Sequence, residues 1–247
     1  MTPSASRRIR SLRGAKVPVD PWTPLQVVEE EERLPGGDRA SWLTLLLAGS
    51  ECPFTCVFCD LWRHTLDGPT PAGAIPHQIE QALRQAESLG EVTGIKLYNA
   101  SNFFDPRAVP PADHPAIRNH LAPFSRVTVE CHPLLVDYRC LEFAGGLEGR
   151  LEVAMGLETV HPGALPKLNK QVTRGDFAAA AELLAATGIG IRACVLLAPP
   201  FIPPLETVAW TVRSALWAVE RRAEVVSLRP VRGGNGEMER LAAAGDF

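Results

Sequence analysis

Residues 41–59 read SWLTLLLAGSECPFTCVFC. The first part, Ser41–Ala48, is a short and nearly continuous apolar run. Such a run marks a strand buried on both faces of a parallel sheet. Directly after it, Cys52-Pro-Phe-Thr-Cys56-Val-Phe-Cys59 sets three cysteines at C-x3-C-x2-C spacing. A loop that leaves a strand at its C-terminal end is where α/β barrels carry their chemistry. Three thiolates on so short a loop can converge on one metal centre. The count matters, because a structural zinc site closes four ligands and a [4Fe–4S] cluster usually takes four cysteines. A cluster held by three keeps one iron open to a small molecule.

Working outward, the chain alternates between strand and helix patterns. Gly94–Asn99, Arg126–Cys131, Arg150–Gly156, Gly190–Leu197 and Glu224–Leu228 read as further strands. Between them, His77–Ser88, His114–Leu121 (with Asp113 as N-cap), Leu135–Phe143, Asp176–Thr187 and Glu206–Arg221 have helical spacing. In the last of these, Val208, Val212, Leu216 and Val219 share one face. Six βα units leave two architectures, a doubly wound open sheet or a barrel, and the pattern alone does not choose between them. The first 40 residues, rich in Pro, Arg and Glu, read as a loop or short lead-in helix. The expected organisation is a lead-in segment at 1–40, a core at 41–230 and a short tail at 231–247.

Composition bounds the function. A chain of 247 residues with 46% hydrophobic and 21% charged residues is ordinary globular material. No apolar run is long enough to span a membrane, and no apolar segment of the kind a secretion signal needs follows the N-terminal arginines. Six cysteines in a chain this long do not suggest a secreted disulfide scaffold. Clustered cysteines fit a metal or cluster site in a reducing compartment, so a cytoplasmic location is expected. Net charge is −3, which does not mark a nucleic-acid binder. The stretch 1–17 nevertheless holds Arg7, Arg8, Arg10, Arg13 and Lys16 with no acid. It reads as a solvated, frayed terminus, or as an arm that contacts RNA phosphates.

The cysteine spacing, with Phe58 just before the last cysteine, resembles the radical S-adenosylmethionine (SAM) superfamily. The resemblance covers about residues 41–230 and implies a partial (β/α)6 TIM-like barrel of the α/β class. It implies that Cys52, Cys56 and Cys59 ligate a [4Fe–4S] cluster whose open iron binds SAM. Reductive cleavage of SAM then gives a 5′-deoxyadenosyl radical that abstracts hydrogen from an organic substrate. By the same resemblance, SAM contacts fall on Phe58, on Asn99 and Ser101 after the second strand, on Glu130 after the third and on Glu158 after the fourth. Val195 and Leu197 of the fifth strand suit an adenine. His132 is expected near the barrel mouth with Glu130. The phrases ECPFTCVFCDLW, KLYNASNFFDPR, VTVECHP, GLET…LNK and LLAPPF are similar to the branch that holds the Elongator catalytic subunit and the tRNA methylthiotransferases. Within it they are most similar to the radical SAM subunit of archaeosine synthase. This implies a tRNA base or nucleoside as substrate, an electron donor such as a flavodoxin or ferredoxin, and a partner subunit.

A different class of protein competes with this reading. Zinc held by the three cysteines and His64, or an electron-carrying cluster with Cys131 as a remote fourth ligand, would make the chain a non-catalytic iron–sulfur or zinc protein. Of the remaining cysteines, Cys140 and Cys194 read as core.

Overall fold

The computed structural model describes residues 4–33, 37–86 and 92–247. Seven strands form one sheet in chain order. β1 (Gln26–Arg33) is antiparallel to β2 (Arg39–Leu47). From β2 onward, β3 (Gly94–Asn99), β4 (Arg126–Glu130), β5 (Arg150–Glu158), β6 (Gly190–Leu197) and β7 (Val225–Pro230) run parallel. These six parallel strands are the six expected from the sequence. Helices α2 (Ala74–Gln85), α3 (His114–Leu121), α4 (Tyr138–Gly145), α5 (Arg174–Ala186) and α6 (Thr207–Glu220) connect them. The sheet is curled into a half-barrel with these helices on its convex side. Two shorter helices, α1 (Ala5–Ser11) and α7 (Glu237–Ala243), flank this array in sequence.

Strand alternation divides the sheet into two chemistries. Leu45, Leu97, Val129, Val153 and Ala193 point outward and pack with Ile79, Ile117, Phe143 and Phe177 of the helices in one continuous apolar core. The concave face instead carries Thr44, Lys96, Thr128, Glu152 and Arg192 at its N-terminal end. These groups form a linked ionic network with β1. Lys96, only 2% exposed, donates to Glu30 at 2.6 Å and to Glu32. Arg192 donates to both oxygens of Glu32, at 2.7 and 3.1 Å, and to Glu152 at 2.7 Å. Thr128 Oγ1 donates to Glu152 at 3.0 Å, and Thr44 Oγ1 to Glu30. Glu32 on the first strand thus grips Arg192 on the sixth, which only a strongly curled sheet permits.

This network explains the main departure from expectation. Val27-Val28-Glu29-Glu30-Glu31-Glu32 was expected as loop or lead-in helix, since glutamate runs are poor strand formers. It is a strand because alternate glutamates, Glu30 and Glu32, meet buried cations while Glu29 and Glu31 face water. α2 starts before His77, and the expected end at Ser88 lies outside the described residues. α4 starts later than expected because Pro133–Leu135 forms a 3-10 turn and the Asp137 carboxylate caps Arg139 N–H. Asp113 precedes α3 as expected but does not cap it. Its carboxylate accepts the Gly73 N–H at the start of α2, at 2.9 and 3.0 Å. The apolar stripe of α6 faces outward, with Val208, Val212, Leu216 and Val219 exposed by 66, 52, 59 and 56%. The small residues Thr211, Ser214 and Ala218 are the buried side, which lets the helix lie close to the sheet.

The basic N-terminal stretch is folded onto the body. Arg8 pairs with Glu237 at 3.0 Å, Arg13 with Glu51 at 2.6 Å, and Lys16 with Glu51 and Asp67. Ile9 of α1 packs with Val57 of the cysteine loop and with Met238 and Leu241 of α7.

Removing one member of a buried ionic network strands the others, at a cost of about 3–5 kcal/mol when the pair is deeply buried. Because Glu30 and Glu32 are partly solvated, Lys96→Met is expected to lower unfolding stability by about 2–3 kcal/mol, read by urea denaturation. An unchanged midpoint would show that the network does not hold the curl.

Candidate active site

Past the ionic layer, the concave face opens at the C-terminal ends of the strands into a cavity of about 450 Å³. Cys52, Cys56 and Cys59 all line it. The loop that carries them has no regular secondary structure between β2 and the 3-10 turn Leu61–His64. Its backbone groups therefore need partners from elsewhere. Asn169 Nδ2 donates to the carbonyl of Thr55 at 2.6 Å. Asn235 Nδ2 donates to the carbonyls of Val57 at 2.7 Å and Cys59 at 3.3 Å, while its Oδ1 accepts Met238 N–H at the start of α7. Val57 N–H donates to Leu168 O at 3.0 Å. Ser6 Oγ of α1 accepts from Thr55 and Asn169 side chains.

The loop is also fixed by stacking. Phe54 lies flat on His132, with ring centroids 3.7 Å apart and planes 13° from parallel. Both nitrogens of His132 are engaged. Nε2 faces the Lys170 carbonyl at 3.0 Å, so it carries the proton, and Nδ1 accepts Leu134 N–H at 3.2 Å. Burial, then the nearby Lys170 charge, pushes its pKa down to about 3. His132 is a neutral support for the loop.

The other wall comes from the strand ends. Glu130 lines the cavity and accepts Asn99 N–H at 2.9 Å. Burial pushes its pKa up to about 7, against the opposing pull of Arg229. Glu158 lines the cavity and accepts from Lys170 Nζ at 2.5 Å. Glu158 takes a left-handed backbone conformation (φ 65°), and the β5–β6 register shifts there. Gly156 makes room for the pair, since a Cβ at that position would stand 2.1 Å from Glu158 Oε1 and 2.2 Å from Lys170 Nζ. Ser101 lines the cavity with its hydroxyl oxygen buried and unpartnered.

The cavity thus gathers Cys52, Cys56, Cys59, Phe58, Ser101, Glu130 and Glu158. Asn99 lies behind the wall, its Oδ1 accepting Ser101 N–H at 3.0 Å. Val195 points the other way, fully buried under the helices, and Leu197 does not line the cavity. Their strand neighbours Cys194 and Leu196 do, so the strand-five expectation has the wrong parity: alternate residues of a strand face opposite sides. Cys194, expected as core, is a wall residue. Cys131 also lines the wall, with its thiol on the His132 carbonyl, whereas His64 does not line it. Sequence reasoning missed Asn102, Asn169, Lys170, Asn235 and Arg229. Asn169 and Lys170 stood inside the quoted GLET…LNK phrase and Asn102 inside KLYNASNFFDPR, but no residue pattern marks Asn235.

Burial raises the thiol pKa of Cys52, lifts that of Cys59 to about 11 and carries that of Cys56 further above the ordinary range, against the pull of Lys170. Thiols so placed ionise only against a nearby cation, and a metal centre is the usual one. All three thiols line one cavity, which fits a cluster that spans them, whereas among the described residues no three His, Cys, Asp or Glu side chains are grouped to hold a single metal ion.

The solved structures that superpose on this half-barrel include radical SAM enzymes. The radical SAM methyltransferase TsrM from Kitasatospora setae, solved with cobalamin and a [4Fe–4S] cluster, superposes with a TM-score of 0.53 at 18% identity, over 77% of this chain and 37% of that one. Elp3 from Methanocaldococcus infernus superposes with a TM-score of 0.54 at 14% identity, over 83% of this chain and 50% of that one. At such identities the likeness is one of fold. In sequence, the chain is 25% identical over 243 residues to an uncharacterized protein of Methanocaldococcus jannaschii, covering 94% of this chain and 66% of that protein. It is 26% identical over 209 residues to archaeosine synthase subunit beta of Methanosarcina acetivorans, covering 80% of this chain and 58% of that protein. The chain thus spans two thirds or less of the length of these relatives, the second of which bears the name that the motifs resemble. No protein-family model matches the chain. Among the described residues, no helix is long and apolar enough to cross a membrane.

Glu130 makes the site pH-sensitive. Its folded pKa, about 7, lies above the ordinary 4.5. The folded chain therefore holds a proton that the unfolded chain has released, and stability falls as pH rises between those values. His132 acts in the opposite sense below pH 6.5, where the unfolded chain takes up the proton. The comparison with Glu130→Gln isolates the carboxyl. The wild type is expected to lose stability relative to this variant from pH 4.5 to 7 in guanidinium titrations. A constant difference would contradict it.

Proposed function

We propose that the chain is a radical SAM enzyme that acts on a tRNA base or nucleoside. The observation that carries the reading is that all three cysteines of the C-x3-C-x2-C loop line one cavity, at the catalytic end of a parallel half-barrel. In this reading Cys52, Cys56 and Cys59 hold the cluster and leave one coordination position for SAM. When bound, the cluster and SAM supply a one-electron reductant and a 5′-deoxyadenosyl radical able to take hydrogen from an unactivated carbon.

The chain's own residues bind and orient. Phe58 and Leu196 offer apolar surface to the nucleoside part of SAM. Ser101 offers a buried hydroxyl with no other partner. Glu158, held by Lys170, has a carboxylate suited to ribose hydroxyls, and Glu130 a carboxyl that can carry a proton near neutral pH. Asn99 acts by shaping the turn that presents Ser101. The cavity walls exclude water from whatever is bound between them.

The tRNA reading is supported by the relative named archaeosine synthase subunit beta. A subunit designation also supports a partner chain. Arg232 at the cavity rim is 75% exposed, though paired with Asp60 at 3.4 Å, and is the basic group most open to a phosphate there. A flavodoxin or ferredoxin is the proposed electron donor, and the cytoplasm the proposed location. A zinc protein is the lesser reading, since His64 lies off the cavity wall, and for an electron-carrying cluster Cys131 is on the wall but has its thiol engaged by the His132 carbonyl.

The test is anaerobic reconstitution with iron and sulfide, reduction with dithionite, and measurement of 5′-deoxyadenosine from SAM, with and without bulk tRNA. Turnover is expected, and tRNA is expected to raise it. Cys56→Ala should lose cluster absorbance and at least 100-fold of the turnover, about 2.7 kcal/mol in barrier. Brown protein that makes no 5′-deoxyadenosine under several reductants would refute the enzyme reading.

A further inference from the structure

Three asparagines surround the cysteine loop, and one differs from the others in what it touches. Asn169 and Asn235 donate to loop carbonyls. Asn102, on the loop after β3, donates its Nδ2 to the Cys52 sulfur itself, at 3.3 Å. The orientation of this amide is not arbitrary. His132 backbone N–H can only donate, and it meets Asn102 Oδ1 at 2.7 Å. The oxygen is therefore committed to His132, and the NH2 group must face the sulfur. Asn102 is 4% exposed, so water does not compete at this contact. Among the described residues it is the only side chain hydrogen-bonded to any of the three loop sulfurs.

We propose that Asn102 is a positioning residue that sets the electron density on the Cys52 sulfur and thereby the reduction potential of the cluster the loop holds. This rests on the reading of the loop as the cluster ligand set. Hydrogen bonds to ligand sulfurs withdraw charge, stabilise the more negative reduced state and raise the potential. Outer-shell partners of metal ligands also orient them and strengthen metal retention. Asn102 does both from one side chain, because its oxygen ties it to His132, on which Phe54 of the same loop is stacked. The amide thus joins Cys52 to the residue that supports the loop from below.

Two substitutions separate this role from a merely structural one. Asn102→Asp keeps the shape and the acceptor for His132 N–H, but replaces the donor facing the sulfur with a negative oxygen. Asn102→Ala removes both contacts and adds no charge. Wild type and both variants are reconstituted anaerobically. Iron and sulfide per chain are measured, and midpoint potentials are read by mediated redox titration followed by electron paramagnetic resonance. Both variants are expected at lower potential than wild type, with Asn102→Asp the lower of the two and the faster to lose iron to a chelator. A structural role gives the reverse order, with Asn102→Ala losing more iron and Asn102→Asp matching wild type. That result, or potentials equal in all three, overturns the proposal. Thermal melting of the cluster-free chains checks folding. If Asn102→Ala does not fold, wild type against Asn102→Asp still decides, because that variant retains the His132 contact. A wild type that takes up no iron overturns the reading of the loop and this proposal with it.

Discussion

The curl of the sheet depends on charges buried at its narrow end. Parallel strands with apolar outer faces can form an open, doubly wound sheet as readily as a barrel. Here the concave side of β3 and β6 carries Lys96 and Arg192, and neither can stay there unpaired. Lys96 finds its counter-charges on β1, and Arg192 finds one on neighbouring β5 and one on β1, at the far edge of the sheet. Satisfying them forces the first strand toward the sixth. The apolar core on the convex side stabilises the layers, but it is indifferent to curvature. The ionic layer selects it, and the cavity above exists because the layer below is closed.

Above that layer the requirement is different. The cysteine loop must present side chains toward the cavity while its own peptide groups stay satisfied. Elements from distant parts of the chain meet this need. The loop after β5 and the segment after β7 each contribute one asparagine to the loop carbonyls, while the asparagine after β3 meets the Cys52 sulfur and a serine of α1 meets the Thr55 side chain. Both terminal helices share one apolar cluster with Val57 of the loop, with Leu168 and with Leu196 of β6. The catalytic end is therefore built from long-range contacts, and the barrel scaffold mainly sets the distances between them.

This division explains what could be read in the amino-acid sequence. The parallel strands were legible because each is an apolar run between turn residues, and their limits came out within a few residues. The convergence of the three cysteines on one cavity was legible from their spacing. β1 was not, because its strand character comes from Lys96 and Arg192, far away in sequence. The buried face of α6 was not legible, because Thr211, Ser214 and Ala218 are buried for their size rather than their hydrophobicity. On β6, the choice of Val195 over Cys194 and Leu196 failed for want of register, since a strand apolar on both faces gives no sign of which side is concave. The asparagines act only through partners that folding brings near.

One consequence follows from the way the loop is fastened. In small zinc domains the metal organises the chain, and its binding energy is also the energy of folding. Here the ligand loop is already bonded through Thr55, Val57 and Cys59, with Phe54 stacked in place, by groups that involve no metal. Little conformational entropy remains to be surrendered when a cluster arrives. On the proposed reading of the loop, loss and rebuilding of a cluster would be a local exchange at a preorganised rim, and the fold would not depend on it.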